Sequence, residues 1–185
     1  VGVATSNNHK YGILEINNTG SGTFITPTNI PASVNAVYIR QELRLTNGIV
    51  NLAGAAGNPA NGGRTIYVER ADPSAVTRTN GFLRSEAQDH SGALNWNLSS
   101  VTGTYIIPFA YSASQYIPLI YTLNAGNVGV VNFATYHTGS TNVPWPPAIT
   151  NLNSEIGLLP DNRDATVDRF WNVSTASSGF ATIEF

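Results

Sequence analysis

The sequence predicts an all-β protein, with an antiparallel β-sandwich as the principal architecture. Short runs rich in β-branched and aromatic residues alternate along the chain with clusters of Gly, Pro, Asn and Ser. In Leu43 to Thr46 and in Val128 to Phe133, apolar and polar residues alternate, which is typical of a strand with one buried face. No segment carries a helical repeat longer than about two turns.

Each predicted strand is a β-branched or aromatic run closed by turn-forming residues. In chain order, the predicted strands are Tyr11–Ile16, Val34–Arg40, Leu43–Leu52, Arg64–Arg70, Thr104–Phe109, Ile117–Leu123, Val128–Tyr136, Val167–Val173 and Phe180–Phe185. The longest irregular region, Asn142 to Asn162, contains three closely spaced prolines that cannot pair in a central strand. We expect this region to cross the surface or to cover a sheet edge.

The first 70 residues have a second interpretation. The pattern Leu43-x-Leu45-x-x-Gly48-x-Val50 suits a coil in which the chain turns a corner at Gly, and similar segments recur roughly every 20 to 30 residues. The alternative fold is therefore a short β-solenoid-like N-terminal part stacked on a sandwich. The predicted division is an N-terminal β region at 1–70 and a β-sandwich module at 71–185, with one continuous domain as the alternative.

The composition limits the possible environment and partners. Only 11% of the 185 residues are charged, against about 25% in typical globular domains. The net charge is −2 and Lys10 is the single lysine, so the sequence has no basic patch for nucleic acid. Cysteine is absent, and no apolar run is long enough to span a bilayer. We expect an extracellular or cell-surface protein that does not insert into membranes; lacking Met at position 1, it is expected to be processed or part of a longer chain.

The C-terminal segment Phe180 to Phe185 also has a strand pattern. Ala181, Ile183 and Phe185 form its apolar side. We expect Ile183 and Phe185 to be buried, either in a sheet of this chain or in a neighbouring chain joined by strand addition. This segment is the predicted assembly strand.

Several blocks follow one another in a characteristic order. These are Arg64 to Val76, Thr79 to Arg84, Gly103 to Phe109, Gln115 to Pro118, Asp168 to Val173 and Gly179 to Phe185. Their order resembles the β-rich module of very large secreted surface proteins and adhesins of Bacteroidota, many of them exported by the type IX route. The resemblance covers roughly Leu43 to Phe185. The chain departs from the family pattern at Phe109-Ala110, where Pro-Val-Gly is expected.

The resemblance implies a non-enzymatic structural or adhesive module of a larger bacterial surface protein. In such proteins, serial modules place binding tips far from the cell. The expected partners are sister modules or further copies in a homo-polymer, with polysaccharide as an additional partner. Two alternatives remain, a self-assembling fibre or capsid subunit joined by strand addition and a carbohydrate-binding module.

Trp145 is the candidate contact for a ligand or partner. It lies between Pro144 and Pro146, and an exposed aromatic face of this kind binds sugar rings and proline-rich peptides. The alternative for Trp145 is the commoner role of filling a core or covering an edge. For Trp171, on an alternating strand, we expect that structural role.

The densest acidic cluster is the candidate metal site. Asp161, Asp164 and Asp168 supply the hard oxygen ligands that calcium requires, but their spacing matches no recognised calcium loop. We therefore predict no cofactor, with structural calcium at these residues as the alternative. The simpler account is a polar turn in which Asp168 or Asp164 pairs with Arg169 or Arg163.

Catalytic patterns are weak throughout the sequence. The tripeptide Asp89-His90-Ser91 has the residue types of a hydrolase triad, but consecutive side chains project in different directions. The histidines, His9, His90 and His137, are scattered. A glycosidase requires two paired carboxylates, and the sequence brings together no two of the candidates Glu69, Glu86 and Glu155. We therefore predict no catalytic residues and no enzymatic activity.

Overall fold

A computed structural model describes residues 9–19, 24–25, 36–53, 63–146 and 167–185, and these residues are nearly all β-structure. The N-terminal strands are β1 (His9–Asn17), β2 (Phe24–Ile25), β3 (Ala36–Asn47), β4 (Ile49–Asn51), β5 (Thr65–Val68), β6 (Val76–Arg78) and β7 (Phe82–Arg84). The remaining strands are β8 (Ala93–Ser99), β9 (Gly103–Ile107), β10 (Ala110–Ser112), β11 (Gln115–Tyr116), β12 (Leu119–Gly126), β13 (Gly129–His137), β14 (Arg169–Thr175) and β15 (Gly179–Glu184). A 3-10 turn at Pro73–Ala75 precedes β6. The predicted all-β, sandwich-like class is confirmed.

The N-terminal strands stack in parallel. Strand β3 pairs in parallel with β1 on one side and with β5 and β6 on the other, and β5 continues in parallel to β8. A second parallel stack runs through β2, β4 and β7. Successive turns of the chain therefore lie on top of one another, as the solenoid-like alternative predicts, and the antiparallel pairing of the principal prediction is found further along the chain.

The corner between the two stacks is built from asparagine and glycine. The Asn47 side-chain amide donates to Asn17 Oδ1 at 2.8 Å, and that of Asn80 donates to Asn47 Oδ1 at 3.2 Å. At Gly48 the backbone has φ +93°, a left-handed conformation that favours glycine. The predicted strand Leu43–Leu52 is consequently divided, because β3 ends at Asn47 and β4 begins at Ile49, with Gly48 between them.

The C-terminal strands pair antiparallel. β13 lies antiparallel to β8 in one sheet, and β12 lies antiparallel to β9 in another, so these two consecutive strands extend both layers. β14 then adds to β13, and β15 adds to β12. β14 is thus the last strand of the seven-stranded sheet, and β15 is the last strand of the sheet β15-β12-β9.

The core lies between these layers. Trp96 of β8 packs edge-on against Tyr105 of β9 with ring centroids 5.0 Å apart, and Tyr121 of β12 packs on Phe133 of β13. One cluster of buried residues includes members from both sides of residue 70, such as Ile39 and Leu119. Since β5 pairs with both β3 and β8, hydrogen bonding also crosses the predicted boundary, and the division of the chain at residue 70 stays a prediction.

Candidate functional site

The seven-stranded sheet and the β15-β12-β9 sheet end side by side at β14 and β15, and we call this region the open edge. Among the described residues, β14 pairs only with β13, and β15 pairs only with β12. The side chains of Phe180, Ile183 and Phe185 on and beside β15 are 69%, 39% and 72% exposed. The C-terminal segment therefore joins a sheet of this chain, but Ile183 and Phe185 are not buried within the chain, because no further described strand covers them. Their burial against a neighbouring chain stays a prediction.

Trp171 of β14 lies inside the open edge. Its ring packs against the Phe185 ring at an angle of 38°, with centroids 4.5 Å apart, and only part of its surface is exposed. Its indole nitrogen is buried and has no hydrogen-bond partner among the described residues. Trp171 packs as the expected structural role requires, but in a half-covered position with a buried donor that has no described partner.

A buried ion pair fixes the start of β14. Arg169 Nη1 donates to Glu86 Oε1 at 2.9 Å and to Thr135 Oγ1 at 3.1 Å, and Glu86 Oε2 accepts the His137 backbone N–H at 2.8 Å. The Arg169 and Glu86 side chains are only 7% and 10% exposed. The expected pairing of Arg169 with its neighbour Asp168 is therefore wrong, because the guanidinium turns inward.

The outward side of the seven-stranded sheet carries a row of polar and aromatic side chains, which we call the outer row. Strand register aligns Lys10, Tyr38, Tyr67, Asn95, Asn132 and Ser174 across six strands. Tyr38 and Tyr67 stack with ring centroids 5.2 Å apart, and the Lys10 ammonium lies 5.3 Å from the centre of the Tyr38 ring. Burial is the largest cause that raises the pKa of Tyr67, and the nearby Tyr38 and Glu69 raise it further.

The outer row leads into a shallow cleft of about 600 Å³. Its lining includes Asn95, Asn132, Asn172 and Ser174 from three adjacent strands, together with Asp89 and His90 from the loop before β8. The Asn132 side-chain amide donates to Asn95 Oδ1 at 2.6 Å. Uncharged amides and hydroxyls thus form most of this polar surface.

Trp145 is only partly exposed. It is half-buried and its indole nitrogen is buried, as expected for the alternative of edge covering. Pro144 is exposed, and its carbonyl accepts a hydrogen bond from the Tyr136 hydroxyl at 2.8 Å. Pro146 is half-buried. A ligand role for these three residues stays a prediction.

The acidic cluster is only partly described. Asp161 and Asp164 lie outside the described residues, and Asp168 is exposed with its carbonyl accepting from the Thr138 N–H at 3.0 Å. Within the described part of the chain, no three His, Asp or Glu side chains form a group that could hold a metal ion.

The residue types of a hydrolase triad form a turn. The Asp89 carboxylate accepts from the Ser91 backbone N–H at 3.0 Å and from the Ser91 hydroxyl at 2.5 Å. The His90 ring lies against Tyr136 instead, and burial lowers its pKa. The His137 ring lies against Tyr111, while the placement of the His9 side chain is outside the described set.

The glutamates proposed for a paired site have separate ion-pair partners. Glu69 contacts the Lys10 ammonium at 3.3 Å and Arg40 at 3.8 Å, and Glu86 pairs with Arg169. Glu155 lies outside the described residues.

Strand β8 contributes to both the core and the outer row, and it is missing from the strands predicted from the sequence. Its signal is a strict alternation in which Leu94, Trp96 and Leu98 are buried while Asn95 and Asn97 face outward. Counting that alternation would have predicted the strand and placed Asn95 on a polar face.

Comparisons of the chain with protein-family models, curated proteins and solved structures find no match. No helix within the described ranges has the length and apolar character needed to span a bilayer.

Proposed function

We propose that this chain is a non-enzymatic structural and adhesive module of a larger extracellular surface protein of the Bacteroidota type. The observation that carries the proposal is the open edge. Among the described residues, two layers end there in strands that pair on one side only, and apolar side chains are exposed beside them. An unpaired strand edge is a template for pairing with another β-strand. The occupant is a strand of a sister module, which supplies both the hydrogen bonds and an apolar surface.

The opposite end of the seven-stranded sheet supports a partner of the same type. Strand β1 pairs only with β3 among the described residues, and Tyr11 and Ile13 on it are exposed. One module therefore presents exposed apolar side chains on β1, at one end of the seven-stranded sheet, and on β15, which lies beside its other end. Contacts between two different surfaces of identical units generate open chains, which is the arrangement that a filament of serial modules requires.

The low charge of the chain favours such contacts. With 11% charged residues and a net charge of −2, two copies approach each other with little repulsion or desolvation of charge. On β15 itself, Glu184 is the single charged residue. This composition also favours the alternative of a self-assembling fibre subunit, which uses the same edge.

Sedimentation equilibrium over a concentration series tests the proposal. Ile183→Lys places a charge in the open edge, and Val101→Lys is its matched control because both side chains are 39% exposed and Val101 lies in the turn between β8 and β9. We expect concentration-dependent association of the wild type and of Val101→Lys, and a monomer for Ile183→Lys with an unchanged circular dichroism spectrum. A wild type that stays monomeric at all concentrations, or that associates equally after Ile183→Lys, would overturn the proposal.

A further inference from the structure

The outer row combines two kinds of side chain that the open edge does not use. At one end, Tyr38 and Tyr67 stand side by side and half-exposed, with a ring separation of 5.2 Å. On the next two strands, Asn95 and Asn132 continue the same line. Because adjacent strands are about 4.8 Å apart, Tyr67 and Asn132 lie roughly 10 Å from each other along the row.

The tyrosine pair offers a flat apolar surface with polar tips. Aromatic rings present a face that packs against the C–H groups of a ligand, and tyrosine hydroxyls add hydrogen bonds at the rim. The Lys10 ammonium near Tyr38 is also paired with Glu69 at 3.3 Å, so it adds little net positive charge to this surface. The aromatic end of the row is therefore suited to a neutral ligand.

The asparagine end supplies donors and acceptors in a concave site. Each side-chain amide has two N–H donors and an oxygen acceptor, and the Asn132–Asn95 hydrogen bond uses only part of that capacity. Asn172 and Ser174 extend the polar lining across the cleft of about 600 Å³. Ligand sites in proteins are concave and place a few polar groups next to apolar ones, as this cleft does.

From this arrangement we infer that the outer row and its cleft bind a neutral polysaccharide. Hydroxyl groups on a sugar both donate and accept, which matches the amide side chains, and the C–H faces of its rings match Tyr38 and Tyr67. An anionic polymer would require several unpaired Lys or Arg side chains, whereas the cleft lining contains a carboxylate, Asp89, and no Lys or Arg among the described lining residues. The inference rests on the adhesive part of the proposed function and assigns it a ligand class.

The site also runs across the strands in a suitable direction. The aligned residues extend over six neighbouring strands, so a linear chain lying perpendicular to the strands meets aromatic rings first and amides afterwards. This surface is distinct from Trp145, which is half-buried. A test can therefore separate the two places at which a sugar has been predicted to bind.

Affinity gel electrophoresis with dextran, xylan or mannan in the gel tests the inference, with hyaluronate as the anionic comparison. We expect at least one neutral polysaccharide to retard the wild type, and Tyr67→Ala to weaken that binding about tenfold through the loss of aromatic contact. Tyr67→Phe keeps the ring and is expected to retain most of the binding. Tyr111→Ala is the control, because Tyr111 is an exposed tyrosine of β10 outside the outer row.

Asn132→Ala tests the amide end of the row without changing aromatic packing, and we expect it to weaken binding while the melting temperature stays close to that of the wild type. Retardation by none of the neutral polysaccharides, or by hyaluronate alone, would overturn the inference. Binding that is unchanged in Tyr67→Ala and Asn132→Ala but lost in Trp145→Ala would also overturn the inference. Failure here is separable from failure of the open-edge proposal, because Ile183→Lys is expected to bind the polysaccharide normally and Tyr67→Ala to associate normally.

Discussion

Replacing Arg169 with methionine should destabilise the protein strongly. The guanidinium and the Glu86 carboxylate are 7% and 10% exposed, and methionine fills much of the same space without a charge. The change leaves the Glu86 carboxylate buried with the His137 N–H at 2.8 Å but without its cation. Breaking a buried ion pair in this way costs about 3 to 5 kcal/mol. For a chain of this size, that corresponds to a fall in Tm of about 6 to 20 °C.

A double-mutant cycle separates the ion pair from simple packing. Glu86→Gln leaves the guanidinium uncompensated, so it should also be destabilising, whereas Glu86→Gln combined with Arg169→Met removes both charges. The double variant should therefore lose at least about 1 kcal/mol less than the two single losses together. Thermal unfolding followed by circular dichroism measures all four proteins.

Arg40→Met is the matched control. Arg40 is 3.8 Å from Glu69, but its side chain is 62% exposed. An exposed pair of this kind contributes about 1 kcal/mol or less. If Arg169→Met lowers the Tm no more than Arg40→Met, or if the losses in the double variant are additive, then the Glu86–Arg169 pair does not hold β14 in the way we argue.

Three further predictions concern the folded chain. Burial raises the pKa of Tyr105 and of Tyr136 to about 12. The stability that these neutral phenols contribute is therefore complete below the unfolded pKa of about 10 and is lost as the pH rises through about 12. Denaturant unfolding over this pH range should show the fall in stability, and a flat profile would contradict it. Gly48→Ala should cost more than about 1 kcal/mol, since φ is +93° and the new Cβ would lie 3.1 Å from Asn18, whereas Gly139→Ala meets no atom within 4 Å and should be nearly neutral in the same assay. Deleting residues 181–185 removes most of β15 from its pairing with β12 and should lower the Tm of the monomer; an unchanged Tm would show that β15 adds nothing to this fold.

The sequence was sufficient to predict the fold class because strand signals are local. Alternation and turn residues lie within a few positions of one another, and the corner predicted at Gly48 is found where an Asn-Gly pair ends β3. Pairing direction is different, since it depends on segments far apart in the chain. β5 pairs with β3 and β8 through segments separated by loops, and nothing in its four residues distinguishes a parallel neighbour from an antiparallel one.

The candidate sites depend even more on long-range contacts. Glu86 and Arg169 are 83 positions apart, and the sequence suggested Asp168 as the partner only because it is adjacent. The outer row draws on six strands, so its members become neighbours only through the register of the sheet. The sequence did show that Ile183 and Phe185 share the apolar side of a strand, but not how many strands lie beyond it.

The change of pairing direction at β8 explains how the open edge arises. β8 is parallel to β5 on one side and antiparallel to β13 on the other, so β12 and β13 continue the two layers, and β14 and β15 become their last strands among the described residues. Natural edge strands are commonly protected by lysine, proline or an inward-pointing charge. β15 has neither lysine nor proline. Arg169, the charged residue at the start of β14, is paired with Glu86. Within the described part of the chain, this edge has little such protection, and an edge of that kind is expected to aggregate unless a specific neighbour covers it. The open-edge proposal supplies that neighbour.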